Sequence, residues 1–126
     1  MPSTDVREYQ VVARSTDTFG RVLCNSREQH FVVDGPAQNG CPGEAVTPAE
    51  IFLAGVAACG VELLQVIARD ARVPLRAIRV SAHGALDRSR PVRPDVNVFN
   101  SVHLTFDLAG VDRAQAEELI STFKRR

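Results

Sequence analysis

Polar side chains thin out sharply after Thr47, and between Ile51 and Val61 no residue is charged. Thr47, Pro48 and Glu50 open this stretch with the spacing of a capping box and a proline at the first helical position. A helix is therefore predicted from about residue 48 to about Arg72, stopped by Pro74. Its first three turns are apolar on every side, so it must be covered on every side. A chain of 126 residues can hardly wrap such a helix alone. The pattern thus predicts a dimer in which two copies of the helix pair, with Gly55, Ala58 and Gly60 allowing close approach.

The flanking segments follow a period of two. Residues about 5–15 and 20–25 read as strands joined by the turn "TDTFG", and "QHFVVD" as a third, followed by the Gly- and Pro-rich loop "GPAQNGCPGEAV". Beyond Pro74, Ile78, Val80, Ala82, Gly84 and Leu86 alternate with Arg79, Ser81, His83 and Asp87. A further strand sets Val96, Val98, Val102, Leu104, Phe106 and Leu108 against Asn97, Ser101, His103, Thr105 and Asp107. Asp112 then caps a last helix with Ala116, Leu119, Ile120 and Phe123 on one face. The order β-β-β-α-β-β-α, with strands grouped and one face wet, predicts an α+β fold with antiparallel sheets in a single domain over residues 1–126. The chain stops without a closing strand, so a missing C-terminal part is expected.

Composition narrows the chemistry. Fifteen basic residues balance fifteen acidic ones, leaving no field for nucleic acid or an anionic membrane. The uncharged run is too short to span a bilayer, and the N-terminus has no signal-peptide pattern, so a cytoplasmic location is expected. Three cysteines without a CxxC pair argue against a disulfide scaffold or a zinc site, and nothing requires a metal or other cofactor. His30, His83 and His103 lack ligand spacing and read as strand residues on wet faces. Cys24 reads as a sheet residue, and Cys41 as an exposed thiol in a flexible loop. Cys59 lies within the apolar helix, where it either packs or reacts. Glu50 is nine residues away, on the opposite side of the helix and about 13 Å along its axis, and already has a capping role. Glu62, at i+3, shares the Cys59 face and is a second acidic candidate.

The blocks "FVVDGPAQNG", "TPAEIFLAGVAACG", "VPLRAIRVSAHGALD" and "VHLTFDLAGVDRAQAEEL" resemble, in that order, the OsmC/Ohr family of osmotically induced and organic hydroperoxide resistance proteins. That resemblance implies an intertwined homodimer, with two sheets wrapped around two central helices. Its peroxidase members reduce organic hydroperoxides through a reactive cysteine, which an arginine and a glutamate activate. A second cysteine in a Cys-Pro step resolves the product, and lipoyl-type dithiols supply electrons. Cys59, eleven residues after Pro48, falls at the peroxidatic position. Arg21 is the first choice as activator and Arg27 the second. The acid expected directly after the proline is here Ala49, with Glu50 one place later, and the Cys-Pro step would fall past Arg126. The departures favour a rival within the family, a stress-associated protein that binds a small hydrophobic ligand at the dimer interface without turnover. The plainest alternative is a structural dimer whose cysteine only packs.

Overall fold

A computed structural model describes residues 5–95 and 98–125. Val96 and Asn97, assigned above to opposite faces of a strand, lie outside the described residues. The element order is β1 (Val12–Ser15), β2 (Arg21–Ser26), β3 (Gln29–Asp34), α1 (Pro48–Asp70), β4 (Ala77–Ala85), β5 (Ser101–Ala109) and α2 (Arg113–Lys124). This is the α+β order expected from the sequence. The chain forms two compact units, the first ending at Ile51 and the second beginning at Phe52.

In the first unit, β1, β2 and β3 form an antiparallel sheet in that order. The "TDTFG" segment turns as predicted, with Thr16 Oγ1 donating to the Arg21 carbonyl and Gly20 in the left-handed region at φ 81°. The first strand begins at Val12, later than the expected residue 5, because β2 supplies ladder partners only for Val12 to Ser15. A two-residue turn, Arg27–Glu28, joins β2 to β3 with both residues at positive φ. Cys24 and Val33 are buried on this sheet.

The loop after β3 is more ordered than its glycines and prolines suggest. A 3-10 turn covers Ala37–Asn39, and the Gly35 amide donates to the Gly20 carbonyl at 2.8 Å. Cys41 is half-buried and packs against both glycines, so closely that a Cβ at either Gly20 or Gly35 would collide with its Sγ. The expectation of an exposed thiol is thus corrected. The loop folds back on the sheet, and the missing side chains of Gly20 and Gly35 make the space that Cys41 fills.

Helix α1 starts as the capping box predicts. The Thr47 amide and hydroxyl both donate to Glu50 Oε1 at 2.9 Å, and the Glu50 amide donates to Thr47 Oγ1 at 3.4 Å. At its far end Arg72 adopts φ 56° and the Val73 amide reaches back to the Ala68 carbonyl at 2.8 Å, which ends the helix before Pro74. By length and a mean hydropathy of 2.1 this helix could cross a bilayer. Its C-terminal half is instead built into a protein core.

That core belongs to the second unit. Leu64, Ile67 and Ala68 of α1 and Leu119 of α2 are buried together, with Val73, Leu75, Ile78, Phe106, Leu108, Val111 and Phe123 packed around them. Strands β4 and β5 pair antiparallel from Ala77↔Ala109 to Ala85↔Ser101. Ile78, Val80, Ala82, Leu104, Phe106 and Leu108 face inward, as their alternation predicts. Leu86, Val98 and Val102, expected on that same face, are exposed, because the buried cluster lies toward the Ile78–Leu108 end of the ribbon. His83 and His103 oppose each other on the outer face. Asp112 caps α2 through a reciprocal box with Gln115.

The apolar α1 stretch is covered on one side only. Gly60 is buried, and a Cβ there would rest 3.5 Å from Val80, so Gly60 serves contact with the chain's own sheet and not helix pairing. Gly55 has open space beside it, and Ala58 and Cys59 are exposed. Five residues separate Gly55 from Gly60, a turn of about 140° at 100° per residue, which puts them on different faces.

Candidate functional site

Two groupings of functional side chains emerge, one in each unit. In the second unit, Cys59 lies on an outward stripe of α1 with Phe52, Gly55, Ala58 and Glu62, all exposed. The i, i+3/i+4, i+7 spacing generates that stripe. Phe52 stacks on Phe99 with ring centroids 5.6 Å apart, and Phe99 occupies room that a side chain at position 84 would need. A side chain at position 84 would force the Phe99 ring to shift. Cys59 thus offers an accessible sulfur on an apolar surface, and Glu62 shares its face as expected.

Glu50 does not join this grouping. Its carboxylate is engaged with Thr47, and hydrogen bonds from the Thr47 amide and then its hydroxyl lower its pKa. The capping role anticipated for it is the one the structure displays.

The first unit builds a cluster around Arg21 that the sequence reading did not identify. Arg21 Nε donates to Asp34 Oδ1 at 2.8 Å and Nη2 to Asp34 Oδ2 at 2.9 Å, a bidentate fork. Nη2 also donates to Glu44 Oε1 at 2.9 Å. Asp34 has no exposed surface, and its Oδ2 further accepts from the amides of Glu44 at 3.0 Å and Ala45 at 2.8 Å. Glu44 is the opposite case, with a side chain 77% exposed.

The local chain explains this geometry. The hairpin register pairs Arg21 with Asp34 across β2 and β3, and Asp34 ends β3 where the loop turns back to present two amides. Counting pairs outward from the Arg27–Glu28 turn, Ser26↔Gln29 and onward, reaches this partnership. That register was the available signal. Arg27, the second choice for an activating arginine, is exposed at the turn and makes no ion pair among the described residues.

Electrostatics reinforce the fork. Arg21, then the Ala45 amide, holds the Asp34 carboxyl well below the usual carboxylate range, outweighing desolvation. Asp34, then Glu44, raises the Arg21 pKa further above an already high value. The depressed Asp34 pKa makes the cluster acid-labile. Its stabilising contribution is complete above the unfolded carboxyl pKa of about 3.9 and is lost as pH falls through the lower folded value. Asp34→Asn is expected to unfold at a lower temperature than the parent at pH 7. That gap should close progressively below about pH 4, as thermal melts across pH would register.

Among the described residues, no group of three or more His, Cys, Asp or Glu side chains could hold a metal ion.

Comparison with known proteins agrees with this architecture. An OsmC-like protein from Mycoplasma pneumoniae superposes with a TM-score of 0.82 at 15% identity, covering 98% of this chain and 84% of its own. An organic hydroperoxide resistance protein OsmC from Legionella pneumophila gives 0.72 at 20% identity, covering 94% and 82% respectively. A putative organic hydroperoxide resistance protein from Vibrio cholerae, with captopril bound in one of its active sites, gives 0.72 at 23%, covering 95% and 81%. No curated protein matches the chain by sequence. The fold class is thus that of the OsmC and organic hydroperoxide resistance structures. The OsmC family profile, described as OsmC-like protein, matches residues 41–126, and the chain belongs to that family.

Proposed function

We propose that this chain is a thiol-dependent peroxidase that reduces organic hydroperoxides, with Cys59 as its nucleophile and Arg21 as the activating cation. The observation that carries this reading is the exposed Cys59 thiol on an apolar helix face, eleven residues after Pro48, in a member of the OsmC family. The Cys59 thiolate attacks the distal oxygen of R–O–O–H, and the O–O bond breaks. Sulfur is oxidised to sulfenic acid, and the leaving alkoxide takes up a proton to become the alcohol. A dithiol of the lipoyl type then returns the sulfenic acid to thiol, releasing water and becoming a cyclic disulfide. An arginine suits the first step because it stays charged and presents several donors to a thiolate and a departing oxyanion. The working unit is a homodimer acting in the cytoplasm, in which a second copy covers the outward stripe around Phe52 and Ala58.

One equivalent of cumene hydroperoxide, followed by dimedone and peptide mass spectrometry, is expected to trap a sulfenic acid at Cys59. Arg21→Ala should slow that trapping by about a hundredfold. An unmodified Cys59 beside intact peroxide would sink the proposal. It would favour the second reading, a dimer that binds a small hydrophobic ligand without turnover. Ala49, standing where peroxidase members of the family place their glutamate, speaks for that rival.

A further inference from the structure

Arg21 is held by two carboxylates whose attachments are very unequal. Asp34 is covered from solvent and accepts four hydrogen bonds, two from the guanidinium and two from backbone amides. Glu44 is mostly exposed and accepts one, at Oε1 from Nη2. A solvent-exposed ion pair of that kind is weakly held, whereas withdrawing a covered carboxylate would strand its donors. The charge count points the same way. One guanidinium faces two carboxylates, so Asp34 alone neutralises it and Glu44 is the surplus anion.

The guanidinium also has an edge to spare. Asp34 occupies the side formed by Nε and Nη2. The end formed by Nη1 and Nη2 is engaged only through the Nη2–Glu44 bond, and Nη1 makes no hydrogen bond among the described residues. A carboxylate approaching that end can accept two parallel N–H bonds where Glu44 accepts one. We propose that the Nη1–Nη2 end of Arg21 is a binding position for a small carboxylate ligand. Glu44 fills it in the free protein and yields to the ligand, and Asp34 remains as the positioning residue. This goes beyond the peroxidase reading and holds whether or not Cys59 turns over.

The test is a titration of the ¹⁵N-labelled full chain, followed at the Arg21 guanidinium Nε–H signal, which Arg21→Lys identifies by its loss. Sodium benzoate is expected to shift that signal saturably, while benzamide, its neutral counterpart, and equal sodium chloride leave it in place. Glu44→Gln should bind benzoate about fivefold more tightly than the parent, since the internal competitor is gone. Benzoate binding is read at the Arg21 signal and thiol chemistry at Cys59 by sulfenic acid trapping, so loss of thiol chemistry and loss of this site are read separately. A shift shared by benzamide or chloride would overturn the proposal. So would no saturable shift, or a Glu44→Gln affinity no better than that of the parent.

Discussion

Replacing Cys59 by serine is expected to bring hydroperoxide consumption, measured with a lipoyl-type dithiol as reductant, down to the uncatalysed background. The argument is chemical before it is structural. A serine hydroxyl keeps the shape of the thiol but is not ionised near neutral pH, and it has no accessible oxidised state equivalent to sulfenic acid. Because Cys59 lies outside the chain's own buried core and serine keeps its shape, the serine variant should melt close to the parent. Loss of activity with an unchanged melt assigns the chemistry to this sulfur. Retained activity would move it to another residue and end the case for Cys59. Cys24→Ser and Cys41→Ser are the matched controls, and each should retain turnover.

The largest effect on stability is expected at Leu64. Its side chain is fully covered at the centre of the cluster formed with Ile67, Ala68 and Leu119. Truncation to alanine removes apolar contact and leaves a cavity that the surrounding strands and helices can only partly close, a cost of about 2–5 kcal/mol. Denaturant unfolding should show the midpoint falling with little change in slope. Val102→Ala, at an inward position by alternation that the fold leaves exposed, should cost far less. Comparable losses at both positions would contradict the placement of the core at the Ile78–Leu108 end of the ribbon.

How legible all this was depended on how local the determining interactions are. The start of α1 could be read because Thr47 and Glu50 satisfy each other across three residues. The inward face of β4 and the core-facing residues of α2 likewise repeat with periods that need no knowledge of a partner. The Arg21 cluster was only half visible. Arg21 could be singled out, but Asp34 becomes its partner through hairpin register and Glu44 through a loop that returns ten residues later. The acids near Cys59 in sequence are Glu50 and Glu62, whereas the acids that engage the arginine stand on other segments. Gly60 was misread for a related reason. Small residues read alike along a sequence whatever their azimuth, and the packing of Val80 and Phe106 shows which face Gly60 serves.

Cys41 acquires an unplanned use from its position between Gly20 and Gly35, the residues adjoining Arg21 and Asp34. The sulfur is wedged against both backbones, so a bulky maleimide should label it slowly while they keep their places. In a Cys24→Ser, Cys59→Ser background its labelling rate would clock how often the loop over the ion pair lifts away, a local opening distinct from global unfolding. The chain thus contains its own reporter for the clasp around Arg21, one that requires no enzymatic assay and no added label elsewhere.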